Sequence, residues 1–417
     1  MKPRVVRADA LLPGDDAPLR DAALVLDEEG TVLDLGPASD VLPRHAGAPV
    51  EIARGVVMPG LVNAHAHVEL SALRGKVSGG HGFVPWVERL MGIRASECPE
   101  EDEGALARAA EEMENFGTVA VGEVTNTLAA ASALARRGIG GTLFHEIFGL
   151  DRERALAKLA AMRAERAALL DGGAARGFTA SPAPHTVYTT HPDAVRAALA
   201  EVRDAGARTT VHLCEHAAER SFLVHGSGPF AEFATRMRFP IDRFPVPHKG
   251  PVDVAADLGL LAPDVLLVHL TDVRPDELDR IAASGAPVVL CPRSNLFIEV
   301  KLPPLLEMLK VGVLPALGTD SLASNASLDV LAEARALADR FPSVDKRVLV
   351  EMATAAGARA LGLPDLGRLA KGHRPGVLCV EGPLGPGDDP SAFVLRQPGA
   401  KRKWVARRAT PPERVIA

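Results

Sequence analysis

Histidines and an aspartate that could bind a metal ion lie at the ends of apolar runs. His65-Ala-His67 follows one run, and side chains two apart on an extended strand point the same way, so both imidazoles can face one point. His212 lies in the run Arg208–Leu213, and Asp320 follows another. Imidazoles plus one carboxylate suit Zn²⁺ or Fe²⁺ and leave coordination positions for water. The spacing predicts one divalent metal ion on these four residues, although an isolated His-x-His pair is often structural.

Two further residues could move protons beside such a metal. A bound divalent cation lowers the pKa of its water from about 15.7 towards 7, which yields hydroxide at neutral pH. His269 ends another apolar run and is either a further ligand or a base that orients the water. Glu215 lies three residues after His212, where its carboxyl could protonate a ring nitrogen and later a leaving amine. A buried core histidine and an acid at a helix start are the ordinary structural explanations.

Alternating strands and helices must bring these residues together. Short apolar, β-branched runs alternate with stretches of helical period, which is typical of a parallel sheet. We predict a (β/α)₈ TIM barrel over residues 56–371, whose active site lies at the carboxyl ends of its strands. The predicted strands are Val56–Val62, Thr118–Val124, Gly141–Ile147, Gly177–Ser181, Arg208–Leu213, Val265–Leu270, Pro287–Cys291 and Leu314–Gly318. The predicted helices include Asp151–Leu170, Pro192–Ala205 and Ser327–Arg340, the last with Ser327 as its N-cap.

A single metal is favoured over a pair. Two-metal hydrolases on such barrels commonly bridge their ions with a modified lysine on the fourth strand, and Gly177–Ser181 contains none. Lys158 is the only lysine between Gly140 and His212, and it falls inside a predicted helix. Single-metal sites attack carbon in amidine-like rings, where hydroxide adds and ammonia leaves.

Both ends of the chain are predicted to be rich in β-structure. Residues 1–55 and 372–417 carry short strand-like segments between Gly, Pro and Asp turns, with no convincing helix. The predicted strands of the tail are Gly376–Val380, Ala392–Leu395 and Lys403–Val405. Because the termini of a compact chain often lie close together, we expect the two ends to form one small composite β-sandwich domain.

Composition narrows the classes of function. The chain has 417 residues, is 47% hydrophobic and carries a formal net charge of −6, so it can bury a core but offers no basic surface for nucleic acid. No apolar run approaches the roughly 18–20 residues that span a bilayer, and we expect no secretory signal. The four cysteines form no C-x-x-C pair, which disfavours disulfides and a cysteine zinc site. We expect a cytoplasmic enzyme without membrane or nucleic-acid partners, and leave open whether it is a homodimer.

A rival motif overlaps the candidate site. His212-Leu-Cys-Glu215-His216 matches the H-x-x-E-H signature of zinc peptidases, which requires one helix through all three residues. Thr209-Thr210-Val211 favours a strand instead, with a helix only from Ala217. The cysteine-containing deaminase signature is absent. We also expect Glu333 to lie on a solvated helix face.

The ordered set of motifs resembles the amidohydrolase superfamily, in its branch of purine-type and related ring deaminases. The motifs are Pro59-Gly-Leu-Val-Asn-Ala-His65-Ala-His67, His212-x-x-Glu215, His269, Ser294-Asn295 and Gly318-Thr-Asp320-Ser321. The resemblance spans essentially the whole chain and includes the β-rich ends. It implies that the metal is held by His65, His67, His212 and Asp320. It also implies that Glu215 shuttles protons and that His269 and Asp320 handle the attacking water.

Finer motifs look like those of aminodeoxyfutalosine deaminases. They are His67-Val-Glu69-Leu-Ser71, Gly82-Phe-Val-Pro-Trp86-Val, Pro184-His185-Thr-Val-Tyr188, Phe222–Phe230 and Cys291-Pro-Arg-Ser-Asn295 with Leu302-Pro-Pro. This resemblance implies attack at C6 of a 6-aminopurine nucleoside, above all 6-amino-6-deoxyfutalosine of menaquinone biosynthesis. The residues expected to hold the substrate are Glu69, Trp86, His185, Arg293 and Asn295. Trp86 follows several glycines and lies either in a mobile segment over the pocket or in a packed helix start.

Other functions stay open. The segments His269-Leu-Thr-Asp272 and Leu213-Cys-Glu-His216 match no single subgroup, so adenosine, methylthioadenosine or adenosylhomocysteine could be the substrate. The same site could act on guanine, cytosine, triazine or imidazolone rings, which a screen for ammonia release separates. A zinc peptidase would release no ammonia. A non-catalytic binding protein would have little reason to keep the metal ligands.

Overall fold

The computed structural model describes residues 3–97, 102–396 and 402–408 as a mixed α/β fold. The strands found there are β1 (Arg4–Leu11), β2 (Leu19–Leu26), β3 (Val32–Pro37), β4 (Val50–Pro59), β5 (Leu61–Ala66), β6 (Thr118–Thr125), β7 (Gly140–Ile147), β8 (Phe178–Pro184), β9 (Thr209–Leu213), β10 (Val265–His269), β11 (Val288–Leu290), β12 (Ala316–Leu317), β13 (Val377–Glu381) and β14 (Arg402–Ala406).

Helices flank these strands throughout the described residues. They are α1 (Ala38–Arg44), α2 (Phe83–Glu97), α3 (Glu103–Asn115), α4 (Ala130–Arg136), α5 (Arg152–Asp171), α6 (Pro192–Asp204), α7 (Ala217–His225), α8 (Pro229–Arg236), α9 (Pro251–Asp257), α10 (Pro275–Ser284), α11 (Pro292–Glu299), α12 (Leu305–Lys310), α13 (Val330–Arg340), α14 (Lys346–Met352), α15 (Ala355–Leu361) and α16 (Pro390–Arg396). Short 3₁₀ helices cover Val68–Leu73 and Ile241–Arg243. Among the described helices, none combines the length and apolarity needed to cross a membrane.

Eight of the strands form two four-stranded parallel sheets. Their orders are β5-β6-β7-β8 and β12-β11-β10-β9. Isolated parallel bridges join the sheets at both edges, between Ala66 and Asp320 and between Thr186 and His212. At the first edge the backbone N–H of Asp320 donates to the carbonyl of His65 at 3.1 Å. The first bridge therefore brings the carboxyl end of β5 to the segment after β12, and the second lies at the carboxyl end of β9. The predicted metal ligands lie in these three places.

Seven of the eight predicted strands correspond to β6–β12, with ends shifted by a few residues, but the first was wrong. The predicted strand Val56–Val62 is split, because β4 ends at Pro59 in a different sheet and β5 begins at Leu61. Gly60 separates the two strands, and a Cβ added there would lie 2.3 Å from Val119 Cγ1. A glycine is therefore needed where the chain passes from one sheet to the other. Both segments are apolar and buried, so hydrophobicity alone could not reveal the break.

The two ends of the chain meet in one six-stranded sheet of order β14-β13-β4-β1-β2-β3. Strand β13, from the C-terminal part, pairs antiparallel with β4, while β4 pairs parallel with β1. Helix α1 packs on one face, in a cluster formed by Val5, Ala23, Val25, Ala38 and Val41. The opposite face carries a second apolar cluster from β1, β2, β4 and β13.

Other elements correct or confirm the sequence expectations. Helix α1 lies in a region where no helix was predicted, and the predicted strand Ala392–Leu395 is part of α16. A four-residue apolar run cannot distinguish a buried strand from a buried helix. The predicted helices Asp151–Leu170 and Pro192–Ala205 are confirmed as α5 and α6. Helix α13 starts later than expected, because Asp329 rather than Ser327 is the N-cap and accepts from the backbone N–H of Leu331.

The cysteines in the described residues carry free thiols. Cys214, Cys291 and Cys379 are all buried. Burial raises the pKa of each thiol, so these side chains behave as small apolar groups. Cys98 lies outside the described residues.

A buried ion pair ties the six-stranded sheet to α13. The Nη1 and Nη2 atoms of Arg402, on β14, donate to Asp329 Oδ1 and Oδ2 at 2.7 and 2.9 Å, and both side chains are 5% exposed. Nη1 also donates to the carbonyl of Phe116 at 2.8 Å. Burial acts to raise the pKa of Asp329, but Arg402 and Arg335 outweigh it and lower the pKa.

Arg402→Met should reduce the free energy of unfolding by roughly 3 kcal/mol, because it leaves the buried Asp329 carboxylate with fewer cationic partners. Denaturant unfolding of the full chain measures the loss. Lys403→Met is the matched control, since Lys403 is the next residue on the same strand and is exposed. Equal unfolding midpoints for the two variants would contradict a stabilising role for the pair.

Candidate active site

Three histidines meet where the two parallel sheets adjoin. His65 lies on β5, His67 directly follows it, and His212 lies on β9. Ring nitrogens from the three lie within 4.8 Å of one another, and His67 Nε2 is 3.3 Å from His212 Nε2. His65 is fully buried, and neither of its ring nitrogens has a hydrogen-bond partner among the described residues. Buried polar atoms are normally paired, so the unpartnered ring nitrogens of His65 indicate that the cluster could bind a cation.

The protonation of these imidazoles suits metal binding. Burial lowers the pKa of His65 well below its usual value, and the neighbouring His67 and His212 lower it further. Burial, followed by His185, lowers the pKa of His212 to about 3. His212 Nδ1 donates to the backbone carbonyl of His185 at 2.8 Å, which leaves the Nε2 lone pair directed towards His67. Neutral rings with free lone pairs are the form that binds metals.

Asp320 contributes a carboxylate to the same cluster. Its Oδ1 atom lies 3.8 Å from His67 Nε2. Its Oδ2 atom accepts hydrogen bonds from Ser294 Oγ at 2.5 Å and Ser324 Oγ at 3.2 Å. Burial acts to raise the pKa of Asp320, but His67, His269 and the Ser294 hydroxyl outweigh it and lower the pKa. The Asp320 carboxylate is therefore anionic and held in place by two hydroxyls, which suits the role of oxygen ligand predicted for it.

The backbone around the cluster is strained. Cys214, His269 and Asp320 have φ values of 50°, 78° and 56°, in the left-handed region that non-glycine residues seldom adopt. Gly318 also allows a close approach, since a Cβ there would lie 2.6 Å from both Cβ and the carbonyl oxygen of His65. Such strain concentrates at functional sites because the surrounding structure must enforce it.

Glu215 and His269 form an acid and base pair beside the histidines. Glu215 Oε1 lies 3.6 Å from His269 Nε2, and both side chains are buried. Burial raises the pKa of Glu215 well above its usual value, and Asp320 and Glu219 add to the rise. Burial lowers the pKa of His269 to about 4. A carboxyl whose pKa is raised therefore faces an imidazole whose pKa is lowered, and such a pair suits proton transfer.

Two of the predicted substrate-binding residues lie against this cluster. The His185 ring is 5.1 Å from the His212 ring between centroids, and its Nδ1 lies 2.6 Å from Thr189 Oγ1. Asn295 is fully buried, and its Nδ2 lies 3.2 Å from His269 Nδ1. The structure therefore brings His185 and Asn295 together with the predicted metal ligands.

The other predicted substrate-binding residues have different surroundings. The Glu69 carboxylate accepts hydrogen bonds from the loop 125–127, through two backbone N–H groups and two threonine hydroxyls. Arg293 Nη1 donates to Ser327 Oγ at 3.0 Å and lies 3.6 Å from Glu333 Oε1. Trp86 lies in α2, is 6% exposed and packs in an apolar cluster with Leu90 and Ile298 among others. Of the two settings considered for Trp86, the structure has the packed helix start.

Glu333 was wrongly expected on a solvated helix face. It is fully buried, and its carboxylate accepts from Asn325 Nδ2 at 2.7 Å and from the backbone N–H of Arg293 at 2.9 Å. Burial raises its pKa to about 8. A helical period cannot show this, because the buried contact comes from the loop before α13.

The sequence interpretation gave no role to Glu146, the residue before the last of β7. Its Oε1 atom is buried 3.7 Å from His212 Nδ1 and has no hydrogen-bond partner among the described residues, while Oε2 accepts from Asn126 Nδ2 at 3.1 Å. Burial acts to raise the pKa of Glu146, but His185 and His212 outweigh it and lower the pKa to about 2. Glu146, His185 and His212 also have the spacing of a metal site. Because His212 Nδ1 is already donating, Glu146 is better placed to orient that ring.

A second missed group supports the segment that carries Glu215. The backbone N–H of Glu215 donates to Glu219 Oε2 at 3.0 Å, and the N–H of Glu219 donates to His216 Nδ1 at 3.2 Å. His216 Nε2 lies 2.8 Å from the Tyr188 hydroxyl. His216 is the N-cap of α7, whereas His212 lies on β9. The single helix that the peptidase signature needs is therefore not formed.

Known proteins resemble this chain along most of its length. The sequence pattern of the amidohydrolase family matches residues 56–401. The aminodeoxyfutalosine deaminase of Deinococcus radiodurans is 30% identical over 372 residues, which cover 86% of each chain. The 5-methylthioadenosine/S-adenosylhomocysteine deaminase of Halobacterium salinarum is 31% identical over 381 residues, covering 88% of this chain and 81% of that one.

A solved structure has a similar fold. The crystal structure of Helicobacter pylori aminofutalosine deaminase in complex with methylthio-coformycin aligns with a TM-score of 0.83 at 22% identity. The alignment covers 94% of this chain and 95% of that one. At this identity the likeness establishes the α/β fold alone.

Proposed function

The chain belongs to the amidohydrolase family, whose enzymes bind a divalent metal, and we propose that it hydrolytically deaminates a 6-aminopurine nucleoside. The observation that carries the proposal is the buried Glu215 carboxyl, 3.6 Å from His269 Nε2, beside the cluster of His65, His67 and His212. The preferred substrate is 6-amino-6-deoxyfutalosine. Relatives at 30% and 31% identity that are deaminases of aminodeoxyfutalosine and of methylthioadenosine and adenosylhomocysteine support this substrate class.

The proposed architecture places the site at one end of a barrel. Residues 56–371 would form a closed (β/α)₈ barrel, and residues 1–55 with 372–417 a composite β-sandwich domain. The bridges between Ala66 and Asp320 and between Thr186 and His212 support closure at both sheet edges. The pairing of β13 with β4 supports the composite domain, although the boundary after residue 55 falls within β4.

One divalent ion, Zn²⁺ or Fe²⁺, would be held by His65, His67, His212 and Asp320. The fit follows from the unpartnered ring nitrogens of His65, from the Nε2 atoms of His212 and His67 that face each other at 3.3 Å, and from the anionic Asp320. When bound, such an ion lowers the pKa of a coordinated water towards 7.

The side chains of this protein move the protons of the reaction. Glu215 donates its proton to N1 of the purine, which neutralises the charge that would build up there as water attacks C6. His269 and Asp320 accept the proton of the attacking water, and His269 is oriented for this by Asn295. The Glu215 carboxylate then takes the proton of the hydroxyl group now on C6 and passes it to the exocyclic amine, which leaves as ammonia while the 6-oxo product forms. The proton held by His269 and Asp320 returns to Glu215 and completes the cycle. His185 lies beside the cluster where the ribose would extend.

A side-by-side assay tests the proposal. Aminodeoxyfutalosine, adenosine, methylthioadenosine and adenosylhomocysteine are supplied to the metal-loaded enzyme, and the absorbance change of the purine and the ammonia released are recorded. We expect ammonia from the 6-aminopurine nucleosides, with the highest kcat/KM for aminodeoxyfutalosine and no turnover after chelation. Ammonia from guanine, cytosine or a triazine but from none of the four nucleosides would contradict it.

A further inference from the structure

We propose that Phe148 and Lys158 form a subsite beyond His185 that binds a planar, negatively charged group at the far end of the substrate. The inference rests on the proposed function, because it specifies the substituent of the same nucleoside. It concerns residues outside the set of predicted ligands and proton carriers.

A row of rings leads from the histidine cluster to this subsite. The His212 and His185 rings are 5.1 Å apart between centroids and inclined at 62°. The His185 and Phe148 rings are 6.3 Å apart and inclined at 69°. Phe148 follows the end of β7 two residues after Glu146, so strand alternation directs both side chains to the His185 side. A substrate that extends from the cluster past His185 meets Phe148 next.

Phe148 is unusually open for a large apolar residue. The residue is 49% exposed, whereas the preceding Ile147 is fully buried. Exposed aromatic faces beside a site offer flat apolar contact area that a ligand can cover. Because Phe148 makes an edge contact with His185, a flat group stacked on it would continue the row of rings.

Lys158 supplies a cation above this aromatic face. It lies on α5, and its Nζ atom is 3.9 Å from the centroid of Phe148. Within the described residues, Lys158 makes no hydrogen bond and no ion pair. Lys158 is partly buried, so its ammonium is incompletely hydrated and its pKa is lowered. An ammonium on an aromatic face without a direct carboxylate partner is suited to an incoming anion.

The nearby acids do not take this partner role. Glu165 is 58% exposed on its side chain and lies 3.7 Å from His145 Nε2, and Glu146 contacts Asn126 and His212 instead. Both acids act to raise the pKa of Lys158, so they keep the ammonium charged without pairing with it. A carboxylate carried on a flat ring would satisfy Lys158 and cover Phe148 together. A small neutral substituent would use neither residue.

Lys158→Met tests the subsite through the KM for substrates that differ at this end. For aminodeoxyfutalosine, which carries an aromatic carboxylate, KM should rise roughly tenfold with kcat within about twofold. For methylthioadenosine, whose substituent is small and neutral, both constants should stay within about twofold. Arg154→Met is the matched control, because it removes one positive charge from an exposed position on the same helix. An equal change for the two substrates, or none for either, would overturn the proposal.

Benzoate is a probe that does not depend on turnover. Calorimetric titration of the metal-loaded wild type with benzoate should show binding that Lys158→Met and Phe148→Ala each weaken and Arg154→Met leaves intact. If no nucleoside is deaminated while this pattern is seen, the proposed function fails and the subsite stands. If the nucleosides are deaminated but benzoate binds all variants alike or does not bind the wild type, the subsite fails alone.

Discussion

Glu215→Gln should lower kcat by at least roughly a thousandfold, because a positioned general acid contributes about 10² to 10⁴ in rate and Glu215 serves both proton transfers. The amide keeps the size of the side chain and can still approach a ring nitrogen, but it cannot transfer a proton. Metal content should stay at that of the wild type, since Glu215 is not among the predicted ligands. Steady-state kinetics and metal analysis on the same preparation measure both quantities.

Glu232→Gln is a control for this variant, because Glu232 is exposed on α8. It should leave kcat and metal content unchanged. A Glu215→Gln enzyme close to full activity would show that the proton comes from another group. Loss of metal together with activity would show that Glu215 acts on the ion rather than on the substrate.

The pH profile provides an independent test of the same role. Burial and the negative Asp320 raise the pKa of Glu215, so its proton is retained to higher pH than in an ordinary glutamate and is lost as the pH rises through the raised value. The wild type should therefore lose kcat on the alkaline side. The residual activity of Glu215→Gln should lack this alkaline decline, because glutamine does not titrate.

The histidine cluster and Asp320 could be predicted because these residues stand at or just after the ends of strands β5, β9 and β12. In a parallel sheet all carboxyl ends meet at one edge, so His65, His212 and Asp320 converge whatever the details of the helices. His67 follows from the two-residue period of the strand. The family, predicted from the same residues and their order, is confirmed by the match over residues 56–401.

Residues whose roles depend on contacts between distant segments could not be predicted. Glu146 shows no signal beyond its place at a strand end, and its effect on His212 appears only when β7 and β9 are brought together. The contacts between Arg293 and Glu333 likewise could not be predicted, because they join distant segments. Each looks like a polar residue free to meet solvent or substrate, yet they contact each other across α11 and α13.

The packing of the backbone also could not be predicted from the sequence patterns. The apolarity of the run around Gly60 does not separate β4 from β5, and it cannot show that the Val119 side chain on another strand leaves room only for a glycine there. The strained φ values of Cys214, His269 and Asp320 also depend on the surrounding structure. Hydrophobic periodicity reports which residues are buried, and it does not report which element they are buried against.

His212→Ala should remove most of the bound metal and lower kcat/KM by at least roughly a thousandfold. The ring has a single arrangement here, because Nδ1 is committed to the His185 carbonyl and Nε2 alone faces His67. Loss of an orienting second-layer contact typically costs 10–100-fold in metal affinity or activity, so loss of the ligand itself should exceed that. Metal analysis after dialysis, followed by kinetics with added Zn²⁺ or Fe²⁺, measures both effects.

His225→Ala is the matched control, since His225 ends α7 and is exposed. It should keep both metal and activity, whereas His212→Ala should recover only part of its activity at high added metal, because His65, His67 and Asp320 remain. A full equivalent of tightly held metal in His212→Ala would contradict the ligand set. In that case Glu146 and His185, which share the second metal-capable grouping with His212, would be the residues to substitute next.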